Sequence, residues 1–221
     1  MTTSGTSNFQ PTFDDILQDA AGMVGGGPIL AEELQSAMRG MDTFLTQIQN
    51  ENILLHKVET TIVAVSASTS ITTFDNTLLD ALNISVRTNG TDIPLTRLGF
   101  QQWAELPVKD RTGRPTQYWF DRRLDSNNLY LWPRPDMTYS LVLTVQKTVE
   151  DTIRAFQNVD VPRRFIPVLI YGIAYWVGMR RLGRVPQERL TLLKAEYQVA
   201  LREAMREDRE RASIFIKVAR R

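Results

Sequence analysis

Leu129-Tyr130-Leu131-Trp132-Pro133-Arg134-Pro135, followed at once by Asp136-Met137-Thr138 and then Tyr139-Ser140-Leu141-Val142-Leu143-Thr144-Val145, decides how this chain is read. Tyr139, Leu141, Leu143 and Val145 fall on one face of an extended strand, and Leu129 to Trp132 forms a second. Pro133 and Pro135 have no amide proton to give to a ladder, so the connection between the two runs is expected to be a rigid turn closing a hairpin. Tyr118 to Arg122 supplies a third strand of the same small antiparallel sheet.

Upstream, the period of two persists. Ile62, Ala64 and Ser66 alternate with Val63, Val65 and Ala67, and Ile71 to Phe74 follows as a short strand. Leu82 to Arg87 and Thr91 to Leu95 flank Asn89-Gly90, a dipeptide that adopts positive φ readily and so predicts a tight hairpin turn. Thr96 is placed as the cap of a short helix to Trp103, and Leu106 to Thr116, with Gly113 and two prolines, as a loop.

On both sides of this β-rich part, 58–147, the period changes to that of helices. Phe13, Ile16, Leu17, Ala20 and Val24 predict a helix over 12–24 with Thr12 as its cap, stopped by Gly25-Gly26-Gly27-Pro28. A second helix spans 29–50, with Glu32 and Glu33 in its first turn, where carboxylates suit the helix dipole. A third, 162–182, is apolar on nearly all sides and therefore buried, yet too short to span a bilayer and bracketed by arginines. Gly172 and Gly178 on it offer places for another backbone to approach. Gly183 ends it and Pro186 starts the fourth helix, 186–212, about 40 Å long. Only the first half of that helix carries a core stripe; Arg202 to Arg211 reads as an exposed, charge-paired stem. The fold class is α+β: a helical core with a small antiparallel β-rich part, a flexible arm over 1–10, an adaptor domain over 11–212 and an extended tail over 213–221.

Composition narrows the chemistry. The 221 residues contain no cysteine and one histidine, His56, so disulfides and thiolate metal sites are excluded and no metal or other cofactor is expected. The N-terminus has neither a basic nor an apolar segment of a signal peptide, which predicts synthesis in the cytoplasm. Net charge is +1, but it is uneven: 11 basic against 16 acidic residues over 1–149, and 15 against 9 over 150–221. A basic half suggests a polyanion or an acidic surface nearby, although a dedicated DNA-binding domain carries a stronger bias.

No catalytic constellation emerges. Asp14-Asp15 and Glu32-Glu33 sit in helix first turns, where the dipole accounts for them. His56 has no nucleophile or acid motif beside it and reads as a surface or interstrand residue, and the glycine triplet lacks the Lys and Ser/Thr of a phosphate loop. Trp103, Tyr118, Trp119, Phe120, Tyr130 and Trp132, interleaved with Arg111, Arg114, Arg122, Arg123 and Arg134, form either a stacking platform for single strands or the core and rim of a small sheet, the second being favoured.

Gly113-Arg114-Pro115 with Tyr118, the Leu129 to Pro135 run, Tyr139 to Val145, Ile166-Pro167 and Tyr171-Gly172-Ile173-Ala174 occur in an order that resembles the head-to-tail adaptors of short-tailed phages, also called connector or tail tubular proteins. The similarity covers about residues 11 to 212. It implies a non-enzymatic virion protein whose subunits form a dodecameric ring beneath the portal protein. In that family the helical part surrounds the channel for genomic DNA, the β-rich part meets the tail nozzle or other tail components, and no membrane is involved. It further implies that the tail, Ser213, Ile214, Phe215, Ile216, Lys217, Val218, Arg220 and Arg221 with Ala219, docks on the portal. Arg180, Arg181 and Arg184 are candidates for lumen-facing or intersubunit cations. The alternative from another class is a DNA-binding accessory protein of packaging or ejection that uses these same arginines.

Overall fold

The computed structural model describes residues 9–27, 29–51, 55–151, 156–181 and 184–208. In chain order its elements are α1 (Phe13–Met23), α2 (Ala31–Glu51), β1 (Val58–Val65), β2 (Ile71–Asp75), β3 (Leu78–Thr88), β4 (Thr91–Pro94), β5 (Thr96–Arg97), α3 (Phe100–Ala104), β6 (Gln117–Arg122), β7 (Ser126–Trp132), β8 (Tyr139–Lys147), α4 (Ile166–Arg180) and α5 (Gln187–Glu207). The chain is therefore α+β. It divides into two compact units, one made of 1–56 with 149–221 and the other of 57–148, so the β-rich unit is inserted into the helical one.

In the helical unit the core is built around α4. Apolar residues lie on every side of this helix because α1, α2 and α5 all pack on it. Phe165, Val168, Leu169, Ile173 and Ala174 are inaccessible to solvent there. Thr12 caps α1 through a reciprocal pair: the Asp15 amide donates to its hydroxyl and its own amide donates to the Asp15 carboxylate. Three consecutive glycines, Gly25 to Gly27, have φ of 96°, 65° and 94°, a run that side-chain-bearing residues do not sustain, and this terminates α1. Gly172 and Gly178 admit side chains rather than a backbone: Tyr197 and Phe44 over the first, Leu190 and Val24 over the second.

Four sequence expectations change in this unit and its neighbour. Leu201, Ala204 and Met205 are buried, and Asp208 is 1% exposed, so α5 is committed to the core through to its end and is not half stem. The heptad-like recurrence of Leu190, Leu193, Tyr197, Leu201 and Ala204 outweighs the surrounding charge, because charged residues occupy only the outer face. Residues 209–212 of the expected helix, Gly183 and the tail 213–221 lie outside the described residues. His56 is neither on a free surface nor between strands; it sits in a short 3₁₀ turn with its ring 6.5 Å from that of Phe165.

In the inserted unit the strands form two four-stranded sheets, in the orders β1-β8-β3-β4 and β2-β7-β6-β5. The expected hairpin between β7 and β8 does not exist, because the Pro133 to Thr138 connection carries the chain from one sheet to the other. Strand alternation is the reason the two sheets belong together: Leu129 and Leu131 point inward from one, and Leu141, Leu143 and Val145 from the other, into one core. One expected sheet is thus two, and β5 pairs with β6 in parallel. Asn89 and Gly90, at φ 50° and 78°, make the tight β3–β4 turn that their sequence predicts. Thr96 is not a helix cap; it lies in β5, and Gly99 precedes α3, with the Gln102 side chain accepting from the Gly99 amide at 2.9 Å.

Candidate functional site

Two surfaces gather the residues singled out in the sequence, one in each unit. In the inserted unit, alternation along β6 and β7 sorts the aromatic group into opposite faces. Tyr118 and Phe120 point inward and are buried, while Trp119 and Tyr130, paired across the two strands, stand on the outer face. Their rings stack at 4.7 Å between centroids, and Trp103 from α3 packs on both, at 5.8 Å from Trp119 and 5.3 Å from Tyr130. Phe100 lies at the margin, 69% exposed. The short helix is thus a partial lid on the sheet, and each ring offers solvent an edge more than a face.

The loop after α3 is pinned over the same face. The Trp132 indole donates to the Val108 carbonyl at 2.9 Å, and the Arg111 guanidinium lies 5.8 Å above the indole ring. Arg134 forms an ion pair with Asp110 of this loop. Arg123 is paired with Asp121 at 2.7 Å, and both Arg114 and Arg122 are exposed. Beside the stacked rings, Ser70, Ile71, Trp103, Lys109, Tyr130 and Arg134 line a slot of about 190 Å³. Ile71 and Lys109 were not foreseen as part of any surface. Strand-pair register places Ile71 opposite Tyr130, and no pattern within the sequence discloses that pairing.

In the helical unit, the three candidate arginines have three different situations. Arg181 has a side chain only 8% exposed; its Nε and Nη2 donate to the two Glu33 carboxylate oxygens at 2.7 and 2.8 Å, and its Nη1 to the Gly26 carbonyl at 2.8 Å. The hydrogen bonds from Arg181 hold the Glu33 carboxyl below its ordinary value against the opposing effect of burial, and the same contact raises the arginine. Arg180 is exposed and lies 4.0 Å above the Trp176 ring, and Arg184 is exposed. Arg181 therefore ties the C-terminal end of α4 to the N-terminal end of α2 and the α1 stop, whereas Arg180 and Arg184 face solvent.

A fourth arginine matters that the sequence did not single out. Arg164 forms an ion pair with Asp208, whose carboxylate is fully covered and also accepts from the Leu55 amide at 3.4 Å. An acid at a helix C-terminus opposes the dipole, and the guanidinium compensates for it. The last described turn of α5 is thereby fastened at the point from which residues 209–221 continue.

Among the described residues, no helix is long and apolar enough to cross a membrane. No curated protein matches the chain. The sequence model of the SU10 adaptor protein family matches residues 11–219, nearly the whole chain, and on that match this chain belongs to the SU10 adaptor protein family.

Proposed function

We infer that this protein is a non-enzymatic structural component of a phage virion, assembling as a dodecameric ring between the portal protein and the tail. The observation that carries this reading is the match to an adaptor family over both units and into the tail, 11–219. The order of motifs that resembles the adaptors of short-tailed phages supports it. In this reading the ring extends the channel through which genomic DNA leaves the head, and it provides the attachment site for the tail nozzle or other tail components. Its location is the neck of the virion.

Ser213 to Arg221 is the proposed portal-docking segment. Ile214, Ile216 and Val218 alternate with Phe215 and Lys217, a pattern suited to pairing with a sheet edge or filling a groove, while Arg220 and Arg221 meet acidic or backbone groups at its rim. The buried Arg164–Asp208 pair supports this by fixing the helix that leads into the segment. Arg180 and Arg184 are the exposed cations available to the lumen or to a neighbouring subunit, with Arg181 acting through Glu33 within its own subunit.

Deleting residues 213–221 tests the assignment. The truncated chain is expected to remain folded and soluble, with an unchanged thermal transition, and to lose association with purified portal in sedimentation. Normal portal binding by that folded truncation places the docking surface elsewhere.

A further inference from the structure

β2 ends the order of its sheet, and its outer edge is unpaired among the described residues. Natural edge strands are usually guarded by proline, lysine, a bulge or extreme shortness. Ile71-Thr72-Thr73-Phe74-Asp75 has none of the first three, and its five residues pair with β7 in unbroken register. The opposite edge, β5, has two residues. The other sheet also ends in a long strand, β1, but no comparable slot adjoins it among the described residues.

What distinguishes β2 is its setting. The slot lined by Ile71, Trp103 and Tyr130 opens at its first residue, with Lys109 and Arg134 at the rim. Arg134 is engaged by Asp110, whereas Lys109 is exposed and has no ion pair among the described residues. Its loop is fixed in place by the Trp132–Val108 hydrogen bond. An extended segment lying along β2, about 4.8 Å away, would place alternate side chains on the face of Ile71 and Thr73. One of those side chains would enter the slot and its neighbour on that face would reach Lys109.

We propose that β2 and the adjoining Trp103–Tyr130 slot accept an extended acidic segment of another virion protein, added as a fifth strand, with an aromatic or large aliphatic side chain in the slot and a carboxylate against Lys109. The idea rests on the structural role inferred above and adds to it the chemistry of one partner. Charge decides against this chain's own tail as the occupant: Ser213 to Arg221 carries three cations and no acid, and would meet Lys109 and Arg134.

The test is selection of a bead-displayed random nine-residue peptide library on the immobilised full chain. Recovered peptides are expected to carry Phe, Tyr, Trp or Leu within two positions of Asp or Glu, and to weaken as salt rises. Their affinity is expected to fall at least tenfold on Lys109→Glu, a change at an exposed loop position. The amide resonances of Ile71 to Asp75 and the Trp103 indole resonance should move on binding. Failure to enrich any sequence, enrichment of basic peptides, equal binding to Lys109→Glu, shifts confined to other residues, or stronger binding by a synthetic 213–221 peptide would each overturn the proposal. Portal association of the same preparation is measured in parallel; if it is intact while the peptide result is negative, the acidic partner is wrong and the ring reading stands.

Discussion

Gly40 shows how a single atom is decided by a partner distant in sequence. A Cβ built there would lie 2.8–2.9 Å from the Trp176 indole, whose Nε1 donates to the Ser36 carbonyl at 3.0 Å and whose face is covered by Arg180. Alanine improves helix propensity by about 1 kcal/mol, whereas overpacking a held ring costs about 1–3 kcal/mol. Gly40→Ala is therefore expected to lower the urea midpoint, and an unchanged or raised midpoint would show that the indole yields. Glu33 gives a prediction with a pH signature. Its carboxyl is depressed in the folded chain, so its contribution is complete above the unfolded-state value and fades as pH falls through the folded one. Glu33→Gln should cost about 1–3 kcal/mol near neutrality, and that difference should narrow on acidification. A gap that is constant with pH would mean that the ion pair is not its source. The Thr12 cap and the Asn89-Gly90 turn were legible because both depend on near neighbours. The Gly40–Trp176 and Arg181–Glu33 contacts were not, since nothing local to either residue names its partner.

For elements, the four helices and nearly every strand could be read from periodicity, and the errors arose where periodicity carries no information. A strand's alternation says which side chains face inward but not which strand lies beside it, which is why β7 and β8 were joined as a hairpin and prove to lie in separate sheets. In α5, a high density of charge between Arg202 and Glu207 obscured the buried Leu201, Ala204 and Met205. The outcome has a direct consequence. Leu201→Ala should destabilise the protein by about 2–5 kcal/mol, as a cavity in a packed core does, whereas a residue on an exposed stem would change it by about 0.5 kcal/mol or less. Equilibrium denaturation separates the two. The aromatic group was similarly readable in part: alternation correctly separates Tyr118 and Phe120 from Trp119, but the slot beside Tyr130 depends on Ile71 and Lys109 arriving from other segments.

Across the whole molecule, the charge asymmetry between the two halves of the sequence takes on a different meaning once the units are known. Residues 1–56 carry 1 basic and 7 acidic side chains, and 149–221 carry 15 and 9, so the helical unit that joins them is neutral overall. The inserted unit, with 10 basic and 9 acidic residues, is nearly so. Opposite charges along the chain are brought together within one unit, as the Arg181–Glu33 pair illustrates, and need not signal two oppositely charged bodies. Near-neutral units also suit a conduit, because strong phosphate neutralisation would hold DNA in place. A DNA-binding accessory protein would instead show tight, steeply salt-dependent affinity for duplex DNA as an isolated chain. The measurement that bears most directly on the structural role is cryo-electron microscopy of the full chain mixed with the portal protein of its phage. The account predicts a ring of twelve subunits seated on the portal with residues 213–221 in contact with it; portal particles that remain bare at saturating concentrations of folded chain would contradict it.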